Sequence, residues 1–457
     1  MKDNKDMLNS LIEESYNYPD NLKSTEERFE KRIKKERRHK KTFISSLSAV
    51  AASLMFVLLV NTSTAFANVV AELPVIGKLA EYVKFDKSLS LAIENEYVQE
   101  VNLVDWDGDN SLLLPYLIAD EKNLVLFFQL PNSFNQESNQ WVNIFLNSMR
   151  DSTTGEKIEE EFGYSTSGLS LEARDENHGF IMQEYHFPNG GVPKSIDITV
   201  DIKIENIISS EQNVESTSYD DYETPNLENK GTFNFHIELD EFEEPKVYGI
   251  NETHTVIGQK IIIESMVVYP TGTEVNFSFP DENTAWIKSL ELEVLQDSNT
   301  YFKGNNGISS MNDAENKKMR VFIESNYFNK PNKQELLIKA VRLLNKDEEY
   351  ITVDIDNKTI TPKIKGTDLK QVNKNNGTVN LVFSTDIEKD DNHSMFEHEY
   401  KDTSGNVYKL NGEGSSSVDQ QMETFITVKY PNDGKVILKR TFTPKVYLDK
   451  PISIDIK

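Results

Sequence analysis

Three groups of side chains have the composition of a chemical site. Asp105, Asp107 and Asp109, in the run Asp105-Trp106-Asp107-Gly108-Asp109-Asn110, offer hard oxygen ligands of the kind calcium takes. An EF-hand loop wants glycine at its sixth position and a bidentate glutamate at its twelfth. Here Gly108 is fourth and Tyr116 twelfth, so an acidic hairpin turn is expected instead. His393, Glu397, His398 and Glu399 follow Asp390-Asp391-Asn392, which reads as a solvated turn rather than a ligand cage. No pair among His39, His178, His186, His236, His254, His393 and His398 has the spacing that sets two imidazoles on one helical face for zinc. Ser165 and Ser167, between Gly163 and Gly168, miss the Gly-x-Ser-x-Gly elbow, because Ser167 stands where the closing glycine belongs. With 75 Asp and Glu residues, carboxylate pairs are too numerous for any to be singled out as a glycosidase couple. Phosphate-binding glycine loops are absent too. No catalysis, cofactor or metal is expected. Trp106, Trp141 and Trp286 read as core aromatics, with a sugar-stacking face as the alternative.

The elements that would position any function divide at one uncharged stretch. Thr42 to Ala71 carries no charged side chain and is entered through Lys31, Arg32, Lys34, Lys35, Arg37, Arg38, Lys40 and Lys41. Its apolar heart, Phe43 to Val60, spans about 27 Å as helix, enough to cross a bilayer. The cationic flank precedes it and Glu72 follows, so 1–41 is expected in the cytoplasm, 42–67 in the membrane and the rest outside. Ala65-Phe66-Ala67 could instead close a signal peptide, but 41 residues with a helical pattern of their own come first, which favours a retained anchor. The whole chain of 457 residues has a net charge of −26, and 1–41 is net positive, so the outer part is strongly acidic. That excess disfavours nucleic acid, whose affinity comes from phosphate neutralisation by Lys and Arg. With no cysteine, the outer part must be held by core packing alone.

In 1–41, Leu8, Leu11, Ile12 and Tyr16 recur at helical spacing before Pro19-Asp20-Asn21, and Ser24 with Glu27 has capping-box spacing for a second, charged helix. Residues 68–87 are expected to hold a short amphipathic helix, with Leu73, Ile76, Leu79, Ala80 and Val83 on one face and interruptions near Pro74 and Gly77, lying on the bilayer or bracing the next domain. Beyond it the period changes to two, as in Glu274-Val275-Asn276-Phe277-Ser278-Phe279. Leu126 to Asn132, Val275 to Asp281 and Gly377 to Ser384 resemble one another. Asp151, Asp297 and Asp402 mark matching hairpin turns behind them. Each unit is expected to close on a strand of one flavour: Ser195-Ile196-Asp197-Ile198, Tyr350 to Ile355, and Ser453-Ile454-Asp455-Ile456. The fold expected is mainly β: after the single transmembrane helix, tandem immunoglobulin-like β-sandwich domains at 88–243, 244–360 and 361–457, with Ser209 to Lys230 a polar loop in the first.

The charged N-terminal helix, the single span, the exit Thr64-Ala65-Phe66-Ala67-Asn68 and the segment Leu73-Pro74-Val75-Ile76-Gly77-Lys78-Leu79-Ala80-Glu81 resemble a family of Gram-positive membrane proteins with an extracytoplasmic domain of unknown function, described as anti-sigma factors. Tyr248 to Phe279, with Gly258-Gln259-Lys260-Ile261 and Tyr269-Pro270-Thr271, resembles a second domain found behind it. The resemblance implies that 1–41 holds an extracytoplasmic-function sigma factor while the outer domains sense the envelope and govern release by a protease or a conformational change. Leu8, Leu11, Ile12, Tyr16, Phe29 and Ile33 are the apolar contacts expected for that partner, by helical wrapping. Lys34, Lys35, Arg37, Arg38, Lys40 and Lys41 are the flank expected at the lipid headgroups. The alternative is a membrane-anchored surface module that binds an envelope polymer or protein.

Overall fold

A computed structural model describes residues 76–83, 86–130, 140–158, 163–166, 169–170, 179–206, 227–297, 299–302, 310–313, 315–387, 394–418 and 420–456. The expected cytoplasmic segment, with its apolar contacts and basic flank, and the expected span 42–67 lie outside the described residues, as does most of the polar loop expected at Ser209 to Lys230. No helix among the described residues is long and apolar enough to cross a membrane. The architecture is mainly β, built of several antiparallel sheets.

Two short helices come first, α1 (Ile76–Tyr82) and α2 (Lys87–Glu94). Asp86 caps α2: its side chain accepts a hydrogen bond from the Leu89 N–H at 2.9 Å, satisfying one of the orphan donors of a helix start. Leu89, Ala92 and Ile93 then fall on one face at helical spacing and pack, with Leu79 and Val83 of the preceding segment, on Tyr116, Ile118, Val125, Phe127 and Phe180. The amphipathic segment therefore braces the first sheet. Two expectations are corrected here: α1 runs through Gly77 without interruption, and Lys87 to Glu94 is helix where the first β domain was expected to begin at 88.

The first sheet pair comprises β1 (Gln99–Asp107), β2 (Asn110–Ala119), β3 (Asn123–Gln129), β4 (Gln140–Asp151), β5 (Gly163–Thr166), β6 (Leu169–Ser170), β7 (Phe180–His186), β8 (Ser195–Asn206) and β9 (Glu228–Glu238). A five-stranded sheet in the order β1-β2-β3-β7-β5 faces a four-stranded sheet β6-β4-β8-β9. Alternation decides which side chains meet between them: in β9, Phe233, Phe235 and Ile237 point inward and the residues between them outward.

The same plan recurs with β10 (Lys246–Val256), β11 (Gln259–Val268), β12 (Thr273–Ser278), β13 (Ala285–Gln296), β14 (Asn299–Phe302), β15 (Ser310–Asp313), β16 (Lys318–Ile323) and β17 (Gln334–Asn345). It recurs again with β18 (Tyr350–Asp354), β19 (Thr359–Thr361), β20 (Thr367–Asn375), β21 (Thr378–Asp386), β22 (Phe396–Lys401), β23 (Val407–Lys409), β24 (Gly412–Val418), β25 (Gln421–Lys429), β26 (Lys435–Arg440) and β27 (Val446–Asp455). The strands β3, β12 and β21, which carry the three similar segments, hold equivalent places, each between two partners of its sheet, and β4, β13 and β22 follow them in the facing sheets. The turns after β4 and β22 are capped by Asp151 and Asp402, whose carboxylates accept from the Thr153 and Asn406 N–H groups at 2.7 and 2.9 Å. Asp297, at the third of these turns, accepts from Asn332 and Lys333 instead.

The closing strands depart from the expected order. Ser195 to Ile198 lies in β8, paired to β4, and it is β9 that lies beyond it at the sheet edge. The corresponding edge beside β17 is filled by β27, with Leu336 opposite Ile454. The edge beside β26 is filled by β18, with Val436 opposite Val353. Tyr350 to Ile355 thus serves the third core and Ser453 to Ile456 the second: each sheet pair is completed by the strand that a sequential arrangement would give to the other. The short connections that cross are held by two buried arginines. Arg342 donates to the Thr443 carbonyl at 2.8 Å and lies over the Phe442 ring, while Arg440 reaches Glu348 at 3.3 Å. Pro444 in the second connection favours extended backbone at Thr443, and neither connection holds the glycine or asparagine of a tight hairpin.

Candidate functional site

The chemistry-bearing groups of the sequence are mostly spent on structure. Asp107 and Asn110 close the β1–β2 hairpin as expected, with Gly108 at φ +61° in the turn. Asp105 and Asp107 reach across to the facing sheet, where they accept from the Asn234 and Thr232 N–H groups at 2.7 and 2.9 Å. They stitch β1 to β9. His398 pairs with Glu413 and Glu397 with Lys439, so these two groups turn to different partners, and His393 lies outside the described residues. Among the described residues no three His, Asp or Glu come together as a metal-ligating group. The Ser165 side chain and Ser167 lie outside the described residues. The tryptophans correct the expectation of core aromatics. Trp106 and Trp141 are exposed on different sheets, and Trp286 sits under Lys346 with its ring N–H donating to Glu349 at 3.2 Å.

The densest polar chemistry lies where the helix layer and the first two sheet pairs meet. Asp120, at the β2–β3 turn, is fully buried. Its Oδ1 accepts from the Lys122 and Asn123 N–H groups at 2.8 and 2.9 Å, and its Oδ2 accepts from the Thr271 N–H and hydroxyl at 2.9 and 2.7 Å. Thr271 belongs to the β11–β12 turn, so one carboxylate binds two turns 151 residues apart. Asn123 extends the network: its Nδ2 donates to Thr271 Oγ1 at 2.6 Å, and its Oδ1 lies 2.6 Å from His186 Nδ1. A carboxylate only accepts, which fixes the direction of the relay: His186 Nδ1–H to Asn123, Asn123 to Thr271, Thr271 to Asp120. That tautomer leaves His186 Nε2 without a proton, and this atom is buried with no hydrogen-bond partner among the described residues. Phe322 of the second sheet pair meets the imidazole edge-on at 4.4 Å.

Cations complete the junction. Lys122 pairs with Glu274 at 2.9 Å and donates to the Pro188 carbonyl at 2.6 Å, where Arg320 also arrives, holding Asn189 at 3.0 Å. From the helix layer, Ser88 Oγ accepts from the Ser325 N–H at 2.8 Å and Lys87 lies 3.9 Å from Glu324. Burial pushes the Asp120 carboxyl up against the pull of its donors. Burial, then the charges of Lys122 and Arg320, hold His186 down at about 4, so it is neutral at physiological pH. Glu184 shares the outward face of β7 with His186, and burial, then Asp86 and Asp120, push it up to about 7. What this arrangement can do is couple three elements through protonation and hydrogen bonding. Sequence reading marked Tyr269-Pro270-Thr271 and the helical face of Leu79 and Val83 but missed Asp120, Asn123 and Glu184. The turn character of Asp120 to Asn123 was visible, whereas nothing in one sequence pairs it with a turn so distant.

Residues 38–132 match the family described as Domain of unknown function (DUF4179). The match runs from the basic flank to just past β3, taking in α1, α2, Asp120 and Asn123 but neither β7 nor the second sheet pair. No curated protein matches the chain. Among solved structures, the chain is similar to the conserved domain protein from Bacillus anthracis, with 14% identity over 58% of this chain and 84% of that one, at a TM-score of 0.36. It is also similar to a marsupial T cell receptor, with 7% identity over 74% and 95% of the two chains, at a TM-score of 0.12.

Proposed function

We propose that this protein is a single-pass membrane regulator, an anti-sigma factor whose cytoplasmic residues 1–41 hold an extracytoplasmic-function sigma factor and whose immunoglobulin-like outer domains sense the state of the envelope. The observation that carries the reading is the extent of the family match. One matched unit runs unbroken from Arg38 at the end of the basic flank, through the uncharged stretch, into the helix layer and the first three strands. The match ties the end of the basic flank and the uncharged stretch to the outer helices, while the contacts proposed in 1–37 precede it and rest on the sequence resemblance. In this reading Leu8, Leu11, Ile12, Tyr16, Phe29 and Ile33 contact the sigma factor, and Lys34, Lys35, Arg37, Arg38, Lys40 and Lys41 sit at the inner headgroups.

The test is a sigma-dependent reporter in cells expressing the full chain or the full chain with Leu8→Asp, Leu11→Asp and Ile12→Asp. The full chain is expected to silence the reporter and to co-purify with the sigma factor, and the triple variant to do neither. A reporter indifferent to both, with no sigma factor retained, refutes the regulatory reading and leaves the anchored surface module, which Trp106 and Trp141 would serve as exposed binding aromatics.

A further inference from the structure

Glu184 stands at the meeting point of three elements. On β7 it follows Phe180 and Met182, which pack into the helix layer, and precedes His186, which meets the second sheet pair. Its register partner on β3 is Val125, another residue covered by the helices. The residue as a whole is partly covered, but its Oε2 is enclosed and has no hydrogen-bond partner among the described residues. The charges acting on it are both negative: Asp86, the cap of α2, and Asp120, the anchor to Thr271. The neighbouring cations are engaged elsewhere, Lys122 with Glu274 and Pro188, Arg320 with Pro188 and Asn189, and Lys87 with Glu324.

We propose that Glu184 is the charge lock of the helix layer: α1 and α2 stay docked on the first sheet pair while its carboxyl is neutral, and their release becomes easier once it ionises.

The direction follows from linkage. A carboxyl enclosed beside two carboxylates resists ionisation when docked and ionises freely when the helices lift, so docking is fully supported below the ordinary glutamate value of 4.5. That support is lost as pH rises towards about 7, and above it the loss is complete. Asp86, itself pushed up by burial, adds in the same sense. His186 acts oppositely, since it resists charging as pH falls, but it faces Asn123 and Phe322 at the contact with the second sheet pair, not the helices. The lock is therefore separable from that contact. It does not depend on the regulatory reading, since it concerns only the outer part of the chain.

The test is amide hydrogen exchange on the full chain in detergent, with rates corrected for the intrinsic effect of pH. Between pH 5 and pH 8 the protection of the α2 amides, Ser90 to Asn95, is expected to fall about 70-fold, while β8 amides such as Ile198 and Val200 change little. In Glu184→Gln the α2 change should shrink to a few-fold. Glu184→Met, which removes the charge without a polar group to satisfy, should do the same and serves where the amide variant folds poorly. Protection of α2 that stays within threefold across the range in the native chain, or that falls equally in both variants, overturns the proposal.

Discussion

The exchange of closing strands predicts where a single truncated side chain does its damage. Ile454 is 1% exposed and contacts the second core although it lies three residues from the C-terminus, and Val353, wholly buried, belongs to the third core although it follows directly on β17. Ile454→Ala removes three buried carbons opposite Leu336 and should cost about 3 kcal/mol of transfer and cavity energy, with Val353→Ala costing about 2 kcal/mol. Three kcal/mol is about a hundredfold in an opening equilibrium, so hydrogen exchange resolves it residue by residue. In Ile454→Ala the amides of β13 and β17 should lose most protection, with β21 and β25 less affected; in Val353→Ala the order should reverse. A sequential arrangement gives the opposite pattern for both variants. Loss of protection centred on β21 and β25 after Ile454→Ala would refute the exchange.

Two further expectations concern the buried junction. Asp120→Ala strands three backbone donors in a dry site and should cost about 3 to 5 kcal/mol in denaturant unfolding, and because Thr271 supplies two of the hydrogen bonds, a double-mutant cycle with Thr271→Ala should show at least 1 kcal/mol of coupling. Since Thr271→Ala keeps the N–H that donates to Asp120, additive costs would mean that the hydroxyl bond does not help join the two turns through this carboxylate. His186 is held down at about 4 when docked and titrates near 6.5 when exposed, so its contribution is whole above about 6.5 and is lost as pH falls from there to about 4, a loss of about 3 kcal/mol. Urea titrations at pH 7 and pH 4.5 in the Glu184→Gln background, which removes the opposing titration of Glu184, should show it, and adding His186→Gln should remove most of the difference.

How much of this was legible in the sequence depended on range. The change to period two and the resemblance among β3, β12 and β21 marked three β units, and the acidic hairpin at Asp107 to Asn110 was read from the residues of its own turn. Local signals for α2 are also present, since Asp86 stands before Leu89, Ala92 and Ile93 at helical spacing, although the first β domain is expected to begin at 88. The exchange was invisible for a different reason. Tyr350 to Ile355 and Ser453 to Ile456 carry the same alternation of apolar and polar residues, so either could complete either core, and periodicity fixes which face of a strand is buried without fixing its neighbour. Arg342 and Arg440 hold the crossing connections, long side chains that read as surface residues until their carbonyl and carboxylate partners are seen. The tryptophans failed for lack of any such signal, since exposure of a large aromatic on an outward strand position leaves no local mark.

The two joints along the described residues differ in kind, and that difference decides which can respond to conditions. Between the second and third sheet pairs, separation would require β27 and β18 to leave their sheets, breaking the ladder from Glu335–Asp455 to Val341–Val446 and uncovering Ile454 on one side and Ile351 and Val353 on the other. No titratable group needs to change for that joint to hold. Between the first and second sheet pairs no strand crosses among the described residues, and the contact rests on polar links of Asp120, Asn123, His186, Lys122 and Glu274, with Phe322 against the imidazole; burial displaces the proton affinities of Asp120 and His186. A dry polar network is strong when fully satisfied and fails steeply when one member changes charge. Sensitivity to pH and ions is thus concentrated at the end of the body that carries α1 and α2, next to the segment expected to enter the membrane.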